Sequence, residues 1–240
     1  MKGTLVVARR EFRSAFNSPV AYVLIVGFLV LTAVGLFVVE GFFLVGKADL
    51  SPWFGLMPLA FVLLVPAATM RSWAEERRQG TYELLLTLPF SEGELVVGKF
   101  IASFGVIAAA LLLSLGVPLS CSLLGGFDTG IIVSQYLGVL LLAAASVAIG
   151  EWVSSLAKNQ VSAFVGSLFV ILVFTGADRI GSFVHATGIA ASVFNWLSLV
   201  FHNASFSRGV LDTRDLAFFV LATVFFLYLT AWNVRRRKWS

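Results

Sequence analysis

Long apolar stretches separated by short polar segments dominate the chain. In order they are Pro19–Val39, Pro52–Met70, Phe100–Leu124, Ile131–Val153, Val161–Gly176 and Leu216–Val234. A helix needs about 20 mostly apolar residues to cross the hydrocarbon of a bilayer. The pattern therefore predicts an all-α polytopic membrane protein with six transmembrane helices. A seventh stretch, Ile180–Phe201, lacks Asp, Glu, Lys and Arg but contains Gly181, His185, Gly188 and Asn195. It reads as one or two short helices that dip into the outer leaflet and return, because non-helical backbone at that depth must be covered by protein. Residues 177–215 are thus expected to form an external re-entrant segment between the fifth and sixth spans. No internal repeat divides the chain, and residues 1–240 are expected to form one transmembrane domain.

Composition supports the same class. Hydrophobic residues make up 59%, charged residues 12%, and mean hydropathy is +0.94, against about 45–50% apolar and about 25% charged in a soluble domain. Lys and Arg decide the orientation, since cytoplasmic segments carry the excess. With six spans and both termini cytoplasmic, thirteen basic residues lie inside and four outside. A seventh crossing would move Arg235-Arg236-Arg237-Lys238 outside, the costly arrangement. The net charge of +4 is explained by topology, and no free-standing basic domain exists to hold a nucleic acid.

Ahead of the first span, Leu5, Ala8, Phe12, Ala15 and Phe16 share one helical face. Residues 1–18 read as an amphipathic elbow helix on the cytoplasmic membrane surface; the plainer reading is a positive flank that anchors the first span. That span is too long for the apolar core of a signal peptide. Pro58 and Pro66 predict a kink in the second span.

Catalytic patterns are missing. There is no HExxH and no GxSxG, and His185 and His202 stand far in sequence from any Cys or carboxylate cluster. They are expected to be polar residues satisfied at the membrane interface. Cys121 sits in an apolar run, as an inert packed thiol does. The string Gly93-Glu-Leu-Val-Val-Gly98-Lys99-Phe100 imitates a nucleotide phosphate loop, but Phe100 stands where Ser or Thr must hold magnesium. The reading assigns no catalytic residue, metal or cofactor to this chain.

The informative segment is the loop at 71–99, which mixes charges of both signs. Trp73–Arg78 extends the second span as a helix, and Gly80 stops it. Thr81 caps a short helix, Tyr82–Leu88, with Glu83 near its positive end, and Pro89 ends it. Ser91 with Glu94 makes a capping box for the helix entering the third span.

The run Glu75-Glu76-Arg77-Arg78-Gln79-Gly80-Thr81-Tyr82-Glu83-Leu84-Leu85-Leu86-Thr87-Leu88-Pro89 resembles the cytoplasmic signature of ABC-2-type transporter permeases. Asp49-Leu50-Ser51-Pro52, Pro66–Ser72, Ala157-Lys158-Asn159-Gln160 and Arg208–Asp215 narrow the likeness to the gliding-motility-associated (GldF-like) branch. The resemblance implies a permease of the bacterial inner membrane that pairs with a second permease subunit, as a homodimer or heterodimer. Separate cytoplasmic ABC ATPases would hold ATP and Mg, and a large gliding-type auxiliary membrane protein is a further implied partner. It also implies that the short helix, Tyr82–Leu88, is a coupling helix. Glu75, Glu76, Arg77 and Arg78 would then make charged contacts with the ATPase, and Leu84 and Leu85 would fill its groove. Gly80 and Pro89 would set the geometry, and Thr81 and Glu83 belong to the same coupling set. Two functions follow as expectations, an ATP-driven exporter or a mechanical, envelope-assembly machine that moves no solute. Glu151 departs from the branch, in which an apolar residue is expected; it reads as a local variation facing the cytosol.

Overall fold

The computed structural model describes residues 2–42, 49–81, 90–123, 125–185 and 187–238, and no strand occurs among them. The chain is an all-helical polytopic membrane protein. Helix α1 covers Lys2–Asn17, and α2 covers Pro19–Val34 and continues into a π-helical turn, Gly35–Val39. Next come α3 (Ser51–Thr69), α4 (Ala74–Arg78), α5 (Glu92–Ser114) and α6 (Gly116–Ser122). The series continues with α7 (Thr129–Leu156), α8 (Gln160–Thr175), α9 (Ala177–Phe183), α10 (Ile189–Leu197), α11 (Leu199–Ser207) and α12 (Thr213–Lys238).

Among the described residues, five helical stretches are long and apolar enough to cross a membrane: Pro19–Val39, Ser51–Arg78, Glu92–Ser122, Thr129–Leu156 and Thr213–Arg236. The fifth expected span, Val161–Gly176, falls in a bent pair, α8 and α9, meeting at 66°. The chain between this pair and α12 forms two short helices, α10 and α11, as its glycines and polar residues predict.

Helix α7 is the axis of the bundle, with α3, α5, α8, α11 and α12 all packed on it. Small residues explain why. In lipid, helix association depends on close backbone approach, and α7 buries Gly138, Ala143, Ala145, Ser146, Ala148 and Gly150. A Cβ at Gly150 would lie 2.4 Å from Thr69 Oγ1, and one at Gly138 would lie 2.5 Å from Phe206 Cβ. These glycines are the points at which α3 and α11 lock to the axis. Outward faces carry Val23 and Val26 on α2, Leu112 and Leu113 on α5, and Val224 and Phe225 on α12, all exposed. Such a belt is suited to lipid and not to water.

A matched pair of substitutions tests this packing. Gly150→Ala is expected to cost about 1–3 kcal/mol by overpacking. Gly55→Ala on α3, where an added Cβ meets nothing within 4 Å, is expected to be neutral or to stabilise slightly. Denaturant unfolding in detergent reads both, and equal effects would contradict the packing account.

Helix α3 runs without a break through the buried Pro58 and Pro66, and a turn at 70–73 separates it from α4. Helix α1 forms as expected, but it is docked chiefly along α5. Gly98 leaves room for Val7, and Gly105 leaves room for the Phe12 ring. Val7 and Ala8 are buried while Leu5 is 68% exposed, so the predicted apolar face is divided between protein and surroundings.

Candidate functional site

The polar residues that end the second span converge where α1, α4, α5, α7, α8 and α12 meet. Helix α4 is short and needs its termini satisfied. Ser154 of α7 accepts from the backbone N–H groups of Trp73, at 3.2 Å, and Ala74, at 3.4 Å. At the other end Gly80 takes φ +70°. Its N–H donates to the Arg77 carbonyl and that of Thr81 to the Glu76 carbonyl, the paired bonds of a Schellman cap. The predicted stop at Gly80 is therefore present. The Thr81 hydroxyl turns back toward the Glu76 carbonyl at 3.3 Å. The helix that Thr81 was expected to cap, with Glu83, Leu84, Leu85 and Pro89, lies outside the described residues.

Each charged residue of α4 has a defined place. Glu75 accepts from Arg78 at 3.2 Å, from Gln79 at 2.7 Å, and from Gln160 at the start of α8. Arg77 donates to the carbonyls of Ala157, at 2.7 Å, and Ser155, where the last turn of α7 leaves carbonyls without helical partners. Asn233 of α12 donates to the same Ser155 carbonyl at 2.9 Å. Arg78 keeps 63% of its side chain exposed. Glu76, Arg77 and Glu75 thus bind neighbouring elements of the chain itself, while Arg78 is turned outward.

The centre of the network is Lys99, whose side chain is only 2% exposed. Its Nζ donates to the Ser72 carbonyl at 2.8 Å and to Glu76 at 2.9 Å, lies 3.5 Å from Glu11, and sits 5.1 Å from the centroid of the Trp73 ring. Glu11 also pairs with Arg10 at 2.6 Å. Gly98 and Lys99, which imitate a phosphate loop in the sequence, lie inside α5 as a packing gap and a buried cation.

Glu151 corrects the sequence reading. It does not face the cytosol; it is fully buried. One carboxylate oxygen accepts from Ser72 at 2.6 Å and the other from Ser103 at 2.7 Å. Ser72 is therefore a shared node, with its carbonyl on Lys99 and its hydroxyl on Glu151. A carboxylate in a span must be paired or hydrogen-bonded, and here two hydroxyls and the nearby Lys99 charge meet that need.

Sequence reasoning missed Lys99, Glu11, Ser72, Ser103, Ser154 and Asn233. It counted Lys99 among the basic flanks. A signal was available, since Lys99 and Glu151 are opposite charges at the ends of apolar runs that neighbour each other in a bundle. Of the two histidines, His202 has partners for both ring nitrogens, as a satisfied polar residue does. His202 is buried, with Nδ1 2.7 Å from Asp215 and Nε2 3.2 Å from the Trp196 carbonyl. It ties α11 to the start of α12, beyond the opposite end of α3. Among the described residues no group of His, Cys, Asp and Glu could hold a metal ion.

Glu11 gives the site a pH dependence. Burial pushes its carboxyl up, but the Lys99 ammonium and the hydrogen bond from Arg10 outweigh this and hold it below the ordinary glutamate value. A lowered folded value means that the stabilisation is complete above the ordinary value and is lost as pH falls through the lowered one. Acid titration in detergent should therefore show wild type losing stability in that window, and Glu11→Gln losing less. Parallel curves would remove Glu11 from the account.

A family model described as ABC-2 family transporter protein matches residues 46–231, well over half of the chain. No curated protein matches it. The matched range takes in the charged network from Ser72 to Gln160, whereas α1 and the first span precede it.

Proposed function

The chain belongs to the ABC-2 transporter family, and we propose that it turns ATP-driven closure of separate ATPase subunits into tilting of its own spans, as the permease of an exporter. The family makes it a multi-pass membrane permease component of an ABC transporter, working with ABC ATPase subunits. The finer reading places it in the bacterial inner membrane with both termini cytoplasmic, paired with a second permease. ATP and Mg are held by the ATPase partner.

One observation carries this reading: α4, which directly precedes the expected coupling helix, is braced to four other parts of the bundle. Ser154 and the Arg77 bonds join it to α7, Gln160 to α8, and Glu76 through Lys99 to α5 and α1. A push on residues 82–89 is passed to those helices as a rigid-body displacement, because packed elements shift as units. The exposed Arg78 is the residue of α4 placed to meet a partner; Glu76 and Arg77 hold the brace. Leu84 and Leu85 fill a groove of the ATPase, with Glu83 and Pro89 fixing the helix that presents them.

The likeness to the gliding-motility-associated branch supports a second reading, a mechanical or envelope-assembly machine with a large auxiliary membrane protein. Solute accumulation in vesicles together with substrate-stimulated ATPase activity distinguishes transport from it. For the coupling contact itself, Glu83→Ala combined with Leu85→Asp is expected to abolish co-purification of the ATPase while the permease remains folded. Undiminished assembly would overturn the contact.

A further inference from the structure

A cavity of about 810 Å³ opens where α1 turns into α2, bounded by the end of α3, by α4 and by α5. Its two ends differ in chemistry. The charged end carries Arg10, Glu11, Glu75, Glu76 and Lys99, all engaged in the ion pairs and hydrogen bonds described above, and in addition Arg71. Arg71 is exposed; among the described residues it has no carboxylate partner, and its Nη1 reaches only the Ser18 hydroxyl, at 3.3 Å. The other end is made of Leu24, Ala67, Ala68, Ala102 and Val106, which carry no polar side-chain atom. The cavity thus passes from a cation without a carboxylate partner among the described residues, Arg71, into the apolar body of the spans.

A second hollow continues from it. An apolar groove of about 200 Å³ follows the α2–α3 seam and is lined by Leu24, Gly27, Leu31, Ala60 and Leu63. Leu24 belongs to both hollows. A Cβ at Gly27 would meet nothing within 4 Å, so the groove is open at its middle. A cation with hydroxyl donors beside it, followed by a slot with alkyl walls, matches one kind of molecule.

We propose that this pair of hollows is a binding site for an acidic phospholipid, with the phosphate at Arg71 and Ser18 and one acyl chain along Leu24, Gly27 and Leu63. Charge selects the ligand, because the other charged residues of the cavity are paired within the protein and Arg71 is left over. A guanidinium also binds phosphate oxygens in a planar, two-pronged geometry that an ammonium lacks. The proposal does not depend on ATPase docking and stands if the coupling contact fails.

The test uses the purified full chain reconstituted in phosphatidylcholine nanodiscs containing a minor fraction of phosphatidylglycerol. Lipid retained after re-extraction into detergent is counted by native mass spectrometry. Wild type should be enriched in phosphatidylglycerol. Arg71→Gln should reduce that enrichment about fivefold, the factor for one basic residue near an anionic lipid. Gly27→Trp, placed in open space, should reduce retention of both lipids by closing the chain groove. Retention equal to wild type in either variant overturns the site. So does full displacement of the lipid by inorganic phosphate alone, which would make it a plain anion site. A change of oligomeric mass in Gly27→Trp would make the groove a subunit seam and would also overturn the proposal.

Discussion

Lys99→Ala is expected to destabilise the protein by about 3–5 kcal/mol, the cost of removing one partner from a buried ion pair. The physical reason lies less in the lost attraction than in what remains. Glu76 and Glu11 both aim a carboxylate oxygen at Nζ, from 2.9 and 3.5 Å. Without the ammonium, two half-buried like charges face each other, and the Ser72 carbonyl loses its donor. Lys99→Arg keeps the charge in a larger, planar group and is expected to fall between. The double variant Lys99→Met with Glu76→Gln should recover part of the loss, since it removes both members of the pair, with an interaction term of about 0.5–3 kcal/mol. Chemical denaturation in detergent provides the readout. A Lys99→Ala protein as stable as wild type would show that the network is not a structural centre.

What the sequence made legible follows from how each feature is encoded. Spans are encoded locally: apolar runs at Pro19–Val39 or Thr129–Leu156 announce themselves, because a lipid-exposed backbone has few options besides a helix. Caps are local too. The Ser91–Glu94 capping box, with Ser91 accepting at 3.2 Å from the Glu94 N–H, was readable from two letters. The Asn159 cap that starts α8 is equally local. The interior of the site was hidden because its partners lie far apart in the chain. Ser72 meets Glu151 and Arg77 meets Ala157 across about eighty residues. No periodicity reports such a pairing. Charge type alone misled at Glu151 and Lys99, where the default for an ionisable residue at a span end is solvent. The bend between α8 and α9 was half legible: Gly176 marked the end of the fifth run, but the direction taken afterwards depends on tertiary packing. Within α4 the residue types alone gave all four charged side chains one role, and only the contacts divide them into Arg78 facing out and Glu76 and Arg77 facing in.

The second large effect is expected at Glu151, where two replacements separate support from transmission. Glu151→Gln keeps the shape, and its amide can accept from one serine hydroxyl while donating to the other. Its stability should stay within about 1 kcal/mol of wild type, the worth of a typical hydrogen bond. Glu151→Leu leaves the Ser72 and Ser103 hydroxyls buried without their acceptor, at about 1–3 kcal/mol each. The more informative difference lies in coupling. The outward side of α4 is untouched by either change, so the ATPase should bind both variants as it binds wild type. Ser72, however, is the joint between α3 and α4, and the carboxylate holds it to α7 and, through Ser103, to α5. With that acceptor gone, α4 keeps only its Ser154 and Arg77 bonds to the fourth span, and its hold on that span loosens. Paired spin labels at Gln79, beside α4, and at Leu156, the end of α7, both exposed, should keep their separation through the nucleotide cycle in wild type and Glu151→Gln. In Glu151→Leu the separation should change, despite normal ATPase binding. If the separation in Glu151→Leu stayed fixed as in wild type, the Glu151 bonds would be a stabilising feature alone, and the hold of α4 on the fourth span would rest on Ser154, Arg77 and the carbonyls at the end of α7.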